Sequence, residues 1–129
     1  MGTFHLSSKS KERLVGVQPD LVKVVNLAIQ ITDVDFGISE GLRTRERQQQ
    51  LFKSGATRTM NSRHLTGHAV DLVAFVNGEV RWDWPLYVKL AETMKKAASS
   101  LVIPLEWGGD WKTFKDGPHF QLPGVTHPR

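Results

Sequence analysis

The 129-residue chain contains no cysteine, which excludes disulfide staples and cysteine-ligated zinc or iron–sulfur centres. Any metal must therefore be held by histidine and carboxylate. Long apolar runs are also missing: nothing approaches the roughly 18 residues of a membrane-spanning helix. The N-terminal MGTFHLSSKSKER lacks the apolar centre of a secretory leader. Such a chain is expected to be made in a cytoplasm and to need another agent for release. No repeat, low-complexity tract or linker interrupts it, so a single domain over residues 1–129 is expected, large enough to close one core.

What is present is uneven. The net charge is +4, and residues 1–65 hold ten Lys/Arg against six Asp/Glu, whereas residues 66–129 hold seven of each. A basic half suits a polyanion such as nucleic acid, a membrane surface or an acidic wall polymer. An ordinary solvated surface accounts for the same balance.

Hydrophobic spacing predicts a mixture of helices and hairpins. Leu21, Val24, Val25, Ala28 and Ile29 share one face of a helix with Pro19 in its first turn. Phe36–Arg43 reads as a short strand with Phe36, Ile38 and Leu42 as its apolar positions and an irregularity near Gly41. Thr44 is placed to cap a helix that ends at Gly55, and residues 56–63 form a polar loop. A strand over 69–76 turns at Asn77-Gly78 and returns through Glu79–Trp82. Asp83-Trp84-Pro85 opens a helix to about Ser100, followed by a strand near Leu105 and a last strand, His119–Leu122. Without a regular βαβ rhythm, the fold class is α+β: a small, mainly antiparallel sheet packed with helices.

The segment Ser62–Leu72, SRHLTGHAVDL, places an aspartate inside the apolar run AVDLVAF. On a strand, Ala69, Asp71 and Val73 face one way, while His68, Val70 and Leu72 face the other. Asp71 then shares no face with His68, and Gly67 can bend the preceding segment so that His64 meets it. A catalytic zinc takes three protein ligands. His5 and His127 lie in the chain ends, which leaves His119, at the start of the last strand, to complete His64, Asp71 and His119. A hydrogen-bonded strand aspartate and a structural histidine are the plainer alternatives. Asp116, in Asp116-Gly117-Pro118-His119, is suited to act as a base beside such a centre, or is simply a turn residue.

At these residues the sequence resembles the zinc D-Ala-D-Ala peptidase superfamily of the VanX/VanY type. Ser62-x-His64-x-x-Gly67-x-Ala69-x-Asp71 matches its SxHxxGxAxD motif. Trp107-Gly108-Gly109-Asp110-Trp111 and Asp116-x-x-His119 resemble the branch of L-alanoyl-D-glutamate endopeptidases, many of them bacteriophage endolysins. Arg43-Thr44-x-x-x-Gln48-x-x-Leu51 resembles a further segment, so that the likeness runs from about residue 36 to 122 in the family's order.

The resemblance implies a DD-peptidase/hedgehog-like fold with the site at the sheet cleft. It implies one zinc ion held by His64, Asp71 and His119, with Asp116 as general acid/base. Arg43 would assist catalysis by helping to bind substrate or by offsetting charge on the carbonyl oxygen. Gln48 and Ser62 would bind substrate or brace the residues that do, and Trp107 would wall the cleft against substrate or pack in the core. Many relatives carry glutamate where Asp116 stands. The implied substrate is the peptidoglycan stem peptide, cut between L-alanine and D-glutamate during host lysis. The implied protein is a monomer without a separate wall-binding module, with no nucleic acid partner and no stable membrane association. It would wait in the host cytoplasm until a holin-like protein opens the way to the periplasm.

Three rivals stand beside this reading. Non-haem iron oxygenases also use two histidines and a carboxylate, but usually with His-x-Asp on one strand, against seven residues here. A nucleic-acid module would draw on Arg43, Arg45, Arg47, Arg58 and Arg63, without any recognisable motif. A D-Ala-D-Ala carboxypeptidase or dipeptidase would use the same ligands.

Overall fold

The computed structural model describes residues 4–57, 59–60 and 62–128. Helix α1 spans Ser8–Arg13, α2 Pro19–Ile31, α3 Arg45–Lys53 and α4 Trp84–Ser100. Strands β1 (Asp35–Glu40), β2 (Ala69–Val76), β3 (Glu79–Arg81), β4 (Glu106–Trp107) and β5 (His119–Gln121) form one antiparallel sheet.

Strand β2 organises that sheet. One edge pairs along its length with β1, while the other is shared between β5, on residues 69–71, and β3, on residues 74–76. Alternation along β2 then sorts its side chains. Val70, Leu72 and Ala74 enter the main core, while Ala69, Asp71 and Val73 lie on the opposite face. Against the core face pack α2, through Leu21, Val24, Val25 and Ala28, and α4, through Leu90, Met94 and Ala97. Their i, i+3, i+4, i+7 spacing makes the apolar stripe that such packing requires.

Two polar ties lock helices to the sheet. Tyr87 of α4 is 2% exposed, and its hydroxyl accepts from the Ala74 amide at 3.0 Å while donating to the Arg81 carbonyl at 2.9 Å. Ser10 of α1 accepts from the Ile38 amide at 2.9 Å, satisfying a buried strand donor.

Several local expectations need correction. Strand β1 stops at Glu40, because its register with β2 shifts between Ile38 and Glu40. Leu42 consequently lies outside the ladder and is half-exposed. Helix α1 was not signalled by any apolar stripe; it is anchored by the Ser7 cap and Ser10 rather than by hydrophobic periodicity. The return strand ends at Arg81 instead of Trp82. His127 is also not in a loose end: its Nε2 lies 2.9 Å from Asp20 Oδ2, and its carbonyl accepts from Arg63.

Candidate active site

His64 sits on a 3-10 turn, Arg63–Thr66, which the Ser62 side chain caps by accepting from the His64 amide at 3.2 Å. Gly67 ends this turn at φ +76°, and a Cβ there would fall 2.4 Å from the Gly16 carbonyl oxygen. Only glycine serves both the left-handed conformation and that close approach. The chain thereby reverses into β2 with His64 beside Asp71.

The register of β2 with β5 sets Asp71 directly opposite His119. Nε2 of His64 and Nδ1 of His119 each lie 3.2 Å from Asp71 Oδ1. The two rings meet edge to face with centroids 5.1 Å apart. One ligating atom from each residue lies within 4.8 Å of the others. Bonds of about 2.1 Å in tetrahedral geometry put ligand atoms about 3.4 Å apart, so the set fits a small divalent ion with little rearrangement. The chemistry of the outer partners agrees. Nδ1 of His64 donates to the Gly41 carbonyl at 2.8 Å, leaving Nε2 to face Asp71.

His68 behaves as strand alternation requires. It is buried away from the cluster, with Nδ1 2.7 Å from the Thr66 hydroxyl.

Two carboxyl groups share the cleft with opposite protonation tendencies. Burial alone would raise the Asp71 carboxyl, but hydrogen bonds and positive charge from His119 and His64 hold it well below the usual carboxylate range. Asp116 is pushed up, first by burial and then by the charge of Asp71, against weaker opposition from His119, His64 and Arg43. Asp71 thus stays ionised, while Asp116 is the group better able to hold a proton. Burial would lower His119, yet its bond to Asp71 and that carboxylate's charge leave it raised.

Asp116 owes its place to Gly108. Its amide donates to the Gly108 carbonyl at 3.0 Å, and a Cβ on Gly108 would fall 2.3 Å from the Asp116 carbonyl oxygen.

Arg43 is 9% exposed and held by a two-pronged contact with Glu40, Nε–Oε1 2.9 Å and Nη2–Oε2 2.6 Å. Nη1 donates to Gln48 at 2.7 Å, and Nη2 lies 3.9 Å from Asp71 Oδ2. Arg43 and Ser62 line the cleft. Gln48 does not: it is fully buried, accepting from Arg43 and donating to the Thr59 carbonyl. Its amide braces the arginine, Thr57 and Thr59 rather than facing the cleft.

Trp107 is likewise placed away from the cleft. It is buried, donates from its indole to the Gly117 carbonyl at 2.7 Å, and stacks on Trp84 and Phe120. The cleft-lining tryptophan is Trp111, with its ring centroid 5.1 Å from that of His119. Sequence reading missed Trp111, Glu40 and Gln121, all three of which line the cleft. For Gln121 a signal existed: it lies two residues from His119 on the same strand face.

The cleft has a volume of about 550 Å³ and adjoins a second compartment of about 550 Å³. The two share Ala56, Thr57, Thr59, Trp111 and Asp116. Of the arginines considered for nucleic acid, Arg43 and Arg63 are engaged within the fold, and Arg58 lies outside the described residues. No helix among the described residues is long and apolar enough to cross a membrane.

Imidazole and carboxylate atoms that could hold a metal, in one cleft with a carboxyl of raised proton affinity, are the equipment of a hydrolase. Residues 1–122 match the family described as phage L-alanyl-D-glutamate peptidase. The chain is 30% identical over 118 residues to the L-alanyl-D-glutamate peptidase of Escherichia phage T5, covering 88% of this chain and 86% of that protein. It superposes on the L-Ala D-Glu endopeptidase ChiX of Serratia marcescens with a TM-score of 0.93 at 47% identity, covering 99% of this chain and 96% of ChiX. The D,D-dipeptidase VanXYg shares the fold at 19% identity, with a TM-score of 0.54 over 82% of this chain and 50% of its own. The chain belongs to the phage L-alanyl-D-glutamate peptidase family and is a peptidase.

Proposed function

We propose that this chain hydrolyses the L-alanyl–D-glutamate bond of peptidoglycan stem peptides, using zinc held by His64, Asp71 and His119. The observation that carries the reading is the meeting of one nitrogen from each of His64 and His119 at Asp71 Oδ1, with Asp116 lining the same cleft. Family membership supports the choice of bond. Bound there, zinc would supply a Lewis acid that acidifies a water and polarises the scissile carbonyl.

The chain's own residues supply the rest. Asp116 takes the proton of the attacking water and returns it to the departing amine of D-glutamate. Its raised proton affinity suits the second task. Arg43, fixed by Glu40 and Gln48, lends positive charge to a cleft in which the carbonyl oxygen becomes negative. Ser62 fixes the turn that carries His64 and adds a hydroxyl to the cleft. Trp111 walls the cleft beside His119 and limits water there.

Purified peptidoglycan incubated with the protein and zinc should yield new N-terminal D-glutamate, read by mass spectrometry of the termini. Release of D-alanine without new D-glutamate termini would instead establish a D-Ala-D-Ala peptidase.

A further inference from the structure

The ligand role of His119 requires its Nδ1 lone pair to face Asp71, and an imidazole has two nitrogens to choose from. A chain of hydrogen bonds on the far side of the ring bears on that choice. His119 Nε2 lies 2.8 Å from Gln121 Oε1. Gln121 Nε2 donates to Glu106 Oε1 at 2.9 Å. The fold builds this chain from two adjacent strands, since β4 and β5 pair in a register that sets Glu106 opposite Gln121. His119 and Gln121 stand on one face of β5.

Donor and acceptor chemistry then runs in one direction. A carboxylate only accepts, so the Gln121 amide must turn its NH2 toward Glu106. That leaves the amide oxygen toward His119, and an amide oxygen also only accepts. His119 must therefore present Nε2–H, and when the ring is neutral, as metal binding requires, its lone pair lies at Nδ1, the nitrogen 3.2 Å from Asp71 Oδ1. Reversing the amide would oppose oxygen to oxygen at Glu106 and turn its NH2 toward His119, favouring the tautomer with the lone pair on Nε2 and the proton on Nδ1.

We propose that Glu106 and Gln121 are positioning residues of the metal site, with Glu106 orienting the Gln121 amide and Gln121 holding His119 with Nδ1 toward the ion. This rests on the ligand set proposed above. Glu106 itself is exposed and outside the cleft lining, so its influence passes entirely through Gln121.

The test uses the full chain and zinc alone. Zinc affinity is measured by chelator competition in about 1 M salt, where bare charge effects reach only about 3 Å. The proteins are wild type, Glu106→Lys, and Glu106→Lys combined with Gln121→Glu. Lysine only donates, so it draws the Gln121 oxygen to itself and turns the NH2 against His119. Affinity should fall about 10- to 100-fold, the usual effect of losing an outer partner of a metal-bound histidine. In the double variant a carboxylate accepts from both neighbours, and most of the affinity should return. The His119 Nε2–H proton of the zinc-loaded protein should exchange slowly in wild type and in the double variant, and fast in the single one. Unchanged affinity in Glu106→Lys overturns the proposal, as does a loss that Gln121→Glu fails to repair. A wild-type protein that takes up no zinc refutes the ligand set itself, and the proposal falls with it.

Discussion

Replacing Gly108 by alanine should separate catalysis from metal binding. The new Cβ would fall 2.3 Å from the Asp116 carbonyl oxygen and 3.1 Å from the Cβ atoms of Asp116 and His119. Real Cβ contacts begin between 3.0 and 3.4 Å, so the Asp116 backbone must retreat by about 1 Å, whereas His119 needs to give only a few tenths. The retreat also strains the Asp116 amide bond to Gly108. A misplacement of about 1 Å in a catalytic group costs on the order of 100-fold in rate. Gly108→Ala should therefore retain near-stoichiometric zinc while kcat/KM on stem-peptide fragments drops about 100-fold. Gly78→Ala is the control. Its Cβ meets nothing within 4 Å, but φ is +80°, so it should cost about 1–2 kcal/mol of stability and leave kcat/KM alone. Paired measurements of zinc content, turnover and urea midpoint decide the matter. A Gly108→Ala enzyme with wild-type turnover would refute the idea that this backbone contact places Asp116.

Asp116→Asn should keep its fold and zinc but lose at least about 100-fold in kcat, the lower range for general acid–base catalysis; full activity would remove Asp116 from the mechanism. With Asp116 raised by burial, the acid limb of the wild-type pH–rate profile should lie above the 3.8 of an ordinary aspartate, since the basic form is lost as pH falls through the raised value. His68→Gln should leave zinc stoichiometry near wild type, because His68 bonds Thr66 rather than Asp71; a metal-free variant would contradict the strand geometry. Stability of the metal-free protein should have a definite pH shape. The depressed Asp71 stabilises above about pH 3.8 and fails as pH falls through its folded value, while the raised His119 stabilises below about pH 6.5 and fails as pH rises through its own. Urea midpoints should thus be highest between these limits. Zinc, which needs the neutral ring, should bind more weakly as pH falls and release protons on binding; a pH-independent affinity would argue against His119 as a ligand.

Local pattern carried much of the fold. The stripe from Leu21 to Ile29, the Asn77-Gly78 hairpin and the Thr44 cap all act over a few residues, and all are found in the structure. Readings failed where a distant partner decides. Leu42 fits a strand pattern, but the shift of β1 against β2 ends the ladder before it. Motif position left Gln48 and Trp107 open between touching substrate and bracing the fold, and Arg43, Thr59, Gly117 and Phe120 hold them in the interior. Helix α1 has too short an apolar signal to read, and depends on Ser10 reaching Ile38.

By itself, the sequence determined which groups were available and which way they face. Without cysteine, only imidazoles and carboxylates can hold a metal, and period-two alternation separates Asp71 from His68 before any contact is known. Tertiary structure alone decided who meets whom. The β2–β5 register brings His119 across 48 residues to Asp71, and the cleft drives the two carboxyls apart in proton affinity. It chose Trp111 over Trp107 as the wall, and joined Glu106 to His119 through Gln121. The reason is physical: periodicity fixes the face of a strand, whereas neighbours and local dielectric come only from pairing and burial.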